Sequence, residues 1–333
     1  MYELLGICLF LAALILLNTC ASVAGAVIWR LSGSLVKTLS PHTRADLLFM
    51  SRVAAPVLAT IAVTVLVIPS YLSYEPRVTS ETVSKKMAVL ALLSVASVAF
   101  ALWRMIRSWR ATVVLRREWL AKSQSIRLPG IDIPAFRIPH NFPIIAIVGT
   151  LRPQLFIADN VLNALSAEEL AAAIAHEGGH LAAHDNLKRT LLQICRDSLF
   201  LIPLGRVVDR VWAETAESAA DEFAARQSPA MALNLASALV RIAKMVPVGV
   251  RAEVPLGAYL VGAEETQGVK SRIKRLLEIS LNRSAISEKT WFVRMLPAMA
   301  FLALTFASAL AASNAKILLS VHALAEQAVR LLS

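Results

Sequence analysis

Charged side chains are scarce in these 333 residues: Asp, Glu, Lys and Arg make up 17%, against 57% apolar. An average soluble domain carries about 25% charged residues, so the composition argues against an ordinary cytosolic globule. Glycine (12) and proline (14) are also few, which excludes collagen-like repeats and low-complexity disorder. Cysteine is rarer still. Cys8, Cys20 and Cys195 are odd in number and lack metal-ligand spacing, so they read as small hydrophobes and no disulfide scaffold is expected. Lys and Arg outnumber Asp and Glu by 34 to 23. In a chain of mean hydropathy +0.61, that excess fits the cytoplasmic side of a membrane and does not call for nucleic acid.

Long uncharged runs, by contrast, are abundant. A bilayer span needs roughly 20 apolar residues. Leu4 to Trp29 and Val53 to Tyr74 hold no charged side chain, with Pro56 and Pro69 near the ends of the second run. Met87 to Trp103 is shorter but continuous, and Met295 to Ile317 is interrupted only by Lys316. One central Lys or Arg costs about 2.5–3.5 kcal/mol on insertion scales. These windows therefore predict four transmembrane helices, at residues 4–29, 53–74, 87–103 and 295–317. The first reads as an anchor, not a cleaved signal peptide: Met1-Tyr2-Glu3 has no basic residue and the run is too long.

Orientation follows from the loops. After the third window come Arg104, Arg107, Arg110, Arg116, Arg117, Lys122 and Arg127, against Glu118 alone. The positive-inside rule places residues 104–294 in the cytoplasm, with both termini outside. Residues 318–333 repeat apolar positions at helical spacing and are expected to form a short amphipathic tail at the interface.

The chemistry sits inside the cytoplasmic segment. Ser166-Ala167-Glu168-Glu169 has the form of a capping box ahead of an alanine-rich run. The predicted helix runs into His176-Glu177-Gly178-Gly179-His180. Histidines four apart project from one helical face and can share a tetrahedral Zn²⁺ at roughly 2.0–2.1 Å. Glu177, 100° around the helix, is placed to act as a general base without ligating the metal. A third ligand is expected from the next acidic cluster, Glu214 to Glu222. Glu217 and Asp221 share a face there, and they are read as ligand and as partner of a ligand histidine. Spacing alone barely separates Glu217 from Glu214. His184 continues the four-residue spacing and could sit at the site's edge. Paired glycines cost a helix about 2 kcal/mol relative to alanines, so Gly178 and Gly179 are expected to admit a close backbone or the substrate. Upstream, Pro143 to Gly149 and Gln154 to Ile157 read as a hairpin whose edge could hold an extended peptide. Leu191 to Leu204 is either a buried helix or a segment dipping into the membrane surface.

The order of these features resembles the BlaR/MecR-type membrane zinc metallopeptidases, metallopeptidase family fifty-six. The resemblance is carried by Gly149 and Pro153, the Ser166–Leu170 lead-in, the HExxH motif with Asp185-Asn186-Leu187 after it, Glu217 with Asp221, and Ser271–Leu276. It implies a mainly α multi-pass protein with a small α+β zincin-like (gluzincin) cytoplasmic domain. It further implies one zinc per chain held by His176, His180 and Glu217, Glu177 as base, and Asp185 and Asp221 as supporting carboxylates. The implied substrate is a cytoplasmic protein such as a transcriptional repressor, cleaved at the bacterial inner membrane. The extracellular sensor usual in that family is not expected from the short tail after residue 317, so ligand sensing is not carried over. A second kinship, to HtpX-like and CAAX-prenyl-protease-like membrane metallopeptidases, implies quality control or processing. A non-enzymatic receptor on the same fold is the third reading.

Overall fold

The computed structural model describes residues 1–33, 36, 38–78, 82–199, 204–246, 266–281 and 291–332. Among these residues the chain is mostly helical with one small sheet. Among the described residues three helical runs are long and apolar enough to cross a bilayer, or four if the bent C-terminal pair counts as one: α1 (Tyr2–Leu31), Pro41–Tyr74 and α4 (Lys85–Ala121). The middle run comprises α2 (Pro41–Ala62), a π-helical turn (Val63–Val67) and α3 (Ile68–Tyr74). The π turn has a covalent cause. Pro69 has no N–H and its ring would clash with the carbonyl of Val65, so the helix widens just before it.

Helix α2 starts twelve residues before the apolar window, capped by Ser40, whose Oγ accepts from the Thr43 N–H at 3.3 Å. Pro56 is therefore interior to the helix and not near its end. Helix α4 runs unbroken from the third apolar window through the basic stretch, with no joint at residue 104.

After α4 comes a four-stranded sheet: β1 (Gln124–Ile126), β2 (Ala135–Ile138), β3 (Ile145–Val148) and β4 (Gln154–Ala158). The order is β1-β2-β4-β3, with β2 parallel to β4 and the other pairs antiparallel. The expected hairpin forms as β3–β4, turned by Gly149 at φ +102°. Short α5 (Asp159–Ala164) leads to α6 (Ala167–Ala182), α7 (Asp185–Asp197), α8 (Leu204–Ala225), α9 (Pro229–Met245) and α10 (Thr266–Leu281). Ala172, Ala173 and Ala175 of α6 are buried in one core with the strands, Leu235 and Leu239 of α9, and Leu276 of α10.

The peptidase half is clasped by the apolar helices. Ala45 and Leu48 of α2 pack on Leu192, Trp212 and Ala216, and Lys188 Nζ bonds Asp46 Oδ1 at 2.7 Å. Of the ambiguous Leu191–Leu204 stretch, residues up to Asp197 complete α7. Leu192 and Cys195 are buried there, and Arg104 reaches Asp197 at 3.2 Å. Residues 200–203 lie outside the described residues.

At the C-terminal end, α11 (Trp291–Ala312) and α12 (Ala315–Leu332) meet at a bend of 92°. The window 295–317 is thus one helix only as far as Ala312, and the tail helix begins at Ala315 instead of 318.

A Cβ on Gly149 would lie 2.8 Å from the Arg152 carbonyl oxygen, whereas one on Gly130, also at positive φ, meets open space. Gly149→Ala should lower stability by about 1–3 kcal/mol in thermal unfolding, through clash added to backbone strain. Gly130→Ala should cost distinctly less, and equal costs would contradict the reading.

Candidate metal centre

Helix α6 starts where the capping box closes. Ser166 Oγ accepts from the Glu169 N–H at 3.2 Å, and the Glu169 carboxylate accepts from the Ser166 N–H at 2.9 Å. Two turns on, its inner face presents His176 and His180, with ring centroids 4.8 Å apart. Opposite them, α8 supplies Glu217. Its Oε2 lies 3.6 Å from His176 Nε2 and its Oε1 3.5 Å from His180 Nε2. One donor atom from each of the three residues lies within 4.8 Å of the other two.

Both imidazoles are steadied from behind. Asp221 Oδ1 stands 3.0 Å from His176 Nδ1, and Asp185 Oδ2 2.7 Å from His180 Nδ1. A carboxylate on Nδ1 fixes the ring and turns Nε2 toward the cluster. Asp185 gets there because the chain reverses at once after α6, through His184 in the left-handed conformation at φ 55°. His184 itself is exposed, as is Glu214 on α8. Neither joins the cluster.

The two helices approach closely because residue 179 lacks a side chain. A Cβ there would sit 3.0 Å from Ala220 Cα and 3.2 Å from Phe223 Cβ. At Gly178 the nearest atom would be 3.8 Å away, an ordinary contact. Of the two glycines, only Gly179 is demanded by packing.

Sequence reasoning missed Arg272 of α10. Its Nε and Nη2 donate to Asp221 at 2.9 and 2.7 Å, and its Nη1 lies 2.9 Å from Glu217 Oε2. The one signal was its place within Ser271–Leu276; no local spacing marks a cation destined for an acidic site.

The charges decide what fits. Glu177, Glu217, Asp221 and Asp185 are all buried, with Arg272 as the buried guanidinium among them. Buried carboxylates need compensation worth several kcal/mol each, and a dication supplies what a single guanidinium does not. Both oxygens of Glu177 are buried with no hydrogen-bond partner among the described residues. Two imidazole nitrogens and a carboxylate oxygen are a donor set suited to Zn²⁺.

The site shifts its own titrations. Burial alone would raise Glu217, but Arg272 and the two imidazoles hold it well below the usual carboxylate range. Asp221, buried too, is brought down to about 2 chiefly by Arg272. Burial pushes Glu177 up, only partly offset by His180 and His176. For His176, burial would lower the value, yet hydrogen bonds to Asp221 and Glu217 win and raise it to about 9.

Fold and cluster together define a metallopeptidase-type centre: paired helical histidines, a distant glutamate and an idle carboxylate between them. Comparison agrees. A family model described as Peptidase family M48 matches residues 146–267, and that family consists of zinc metallopeptidases. No curated protein matches the chain. The chain is a membrane zinc metallopeptidase with a His-His-Glu cluster able to bind the metal.

Two outcomes are expected. Gly179→Ala should force α6 and α8 apart, costing about 1–3 kcal/mol and lowering zinc content, while Gly178→Ala leaves zinc content unchanged. Metal must also displace the His176 proton. Zinc affinity should therefore climb up to about tenfold per pH unit and level off near pH 9. Asp221→Asn should move that plateau to lower pH, and a flat affinity profile from pH 6 to 9 would contradict the assignment.

Proposed function

We propose that this chain is an endopeptidase that hydrolyses protein substrates at the membrane surface bearing residues 104–294, the cytoplasmic face by the positive-inside rule. His176, His180 and Glu217 would hold one zinc ion; Asp221 and Asp185 would orient the two imidazoles. The observation that carries the reading is the buried carboxylate of Glu177, without a hydrogen-bond partner among the described residues, beside His176 and His180.

Bound zinc supplies Lewis-acid activation of water and of the scissile carbonyl. Glu177 takes a proton from the attacking water, whose oxygen bonds to the carbonyl carbon. As the C–N bond breaks, Glu177 returns the proton to the leaving amine. Its upward-shifted carboxyl suits a group that must both accept and release. The guanidinium of Arg272, 2.9 Å from Glu217 Oε2 and 3.4 Å from His176 Nε2, would be the donor for charge developing on the carbonyl oxygen.

Strand β3 is one of the two edges of the sheet. Ala158 N–H bonds to Ile144 O, so by antiparallel alternation the peptide groups of Ile145 and Ile147 point away from β4, and both residues are buried. Asn186 already donates to the carbonyls of Ile147 and Gly149, at 2.9 and 3.2 Å.

Two substrate classes are in play. The resemblance to BlaR/MecR-type enzymes favours a single regulator, such as a repressor. The match to family M48 fits an HtpX-like role in clearing or processing membrane proteins no less well. Comparing the proteomes of cells carrying wild type and Glu177→Gln separates them: one vanished fragment indicates a regulator, many indicate quality control.

Glu177→Gln should keep full zinc content and lose cleavage by at least about 100-fold, measured on purified protein with an unfolded membrane substrate. Unimpaired cleavage would refute the base assignment. Arg272→Gln should lower kcat by about 100-fold with little change in KM. An unaltered kcat would remove it from the chemistry.

A further inference from the structure

Far from the peptidase half lies a second group of ligand-type side chains. Glu75 follows α3, while His322 and Glu326 sit one turn apart on α12. One donor atom from each lies within 4.8 Å of the others, as in the catalytic cluster. His322 Nε2 is 3.4 Å from Glu326 Oε1 and 3.9 Å from Glu75 Oε2. Donors held at roughly 2.0–2.1 Å by a tetrahedral ion lie about 3.4 Å from one another. The corresponding spacings at the catalytic cluster are 3.5 and 3.6 Å.

The surroundings preorganise this second group. His322 is nine-tenths buried, and its Nε2 faces both carboxylates. Tyr74 flanks it, ring centroids 6.0 Å apart. A small cavity at the cluster has apolar walls that include Leu5, Leu9 and Ala325. Arg330 takes the other oxygen of Glu326 at 2.9 Å, leaving Oε1 turned to His322. Helix α12 is pinned in register by Ser70, Tyr74 and Ser84, whose hydroxyls donate to the carbonyls of Leu318, Ala315 and Leu332. The apolar cluster here joins Leu5 and Leu9 of α1 with Tyr71 and Met87, so the group lies at the start of α1 and α4. Arg104, the α4 residue that reaches Asp197, is about 26 Å further along that helix.

We propose that Glu75, His322 and Glu326 form a second site for a zinc-class divalent cation, at the opposite end of the helical bundle from the peptidase centre. Occupancy ties α12 to the end of α3 and fixes it across the mouths of α1 and α4. The ion is drawn from the aqueous phase at that end, on the side away from the substrate.

The test uses the full-length chain in detergent, equilibrated with buffered Zn²⁺ and desalted, with metal counted by mass spectrometry. Wild type should hold two zinc ions per chain, and His322→Gln one with peptide cleavage retained. His176→Ala/His180→Ala should also hold one, which separates failure of this site from failure of the catalytic one. In that double variant Co²⁺ should give a visible d–d band that Glu75→Gln abolishes. A wild-type count of one that His322→Gln leaves unchanged would overturn the proposal, as would two ions surviving His322→Gln. Should the double variant not fold, the comparison of wild type with His322→Gln decides alone.

Discussion

Helix α6 and helix α8 touch at residue 179 with no room for a methyl group, and the rest of the centre follows from that contact. Because Ala220 lies against Gly179, Glu217 three residues earlier is carried over the two imidazoles, and Asp221 one residue later reaches behind His176. A larger residue at 179 would separate the histidines of α6 from Glu217 of α8 while leaving each helix intact. The contact also closes a volume in which four carboxylates are withdrawn from water. That concentration of charge is costly and is sustained by Arg272 and by the affinity of the donor set for a dication.

Legibility in the sequence tracked distance along the chain. The capping box, the HExxH pair and the β3–β4 hairpin are local patterns, so residue spacing reveals them directly. Glu217 and Glu214 are both near the face that matters, and only packing separates them: one is buried among imidazoles, the other exposed. Arg272 and the Glu75–His322–Glu326 group were not legible as sites, because tertiary packing alone brings their parts together. The apolar windows announced the helices but not their true extent. Helix α2 begins early on a serine cap, α4 continues through its basic stretch, and the final run turns by 92° around Ser313 and Asn314.

Apolar helices and peptidase half are one mechanical unit. Arg52, buried in α2, donates to the carbonyl of Cys195 at 3.2 Å, Lys188 holds Asp46, and Arg104 holds Asp197. These bonds all involve α7, the helix whose first residue, Asp185, orients His180. A shift of the apolar bundle would therefore be felt at His180 through a single rigid element, a coupling that a freely tethered peptidase domain would lack.

The central claim is that His176, His180 and Glu217 together coordinate zinc. Zinc-edge X-ray absorption on the purified His322→Gln chain examines that coordination alone. The account predicts scattering from two imidazoles and carboxylate or water oxygen at about 2.0–2.1 Å, with one imidazole lost in His322→Gln/His180→Ala. Sulfur scattering, a single imidazole in the parent, or a spectrum unmoved by His180→Ala would contradict it.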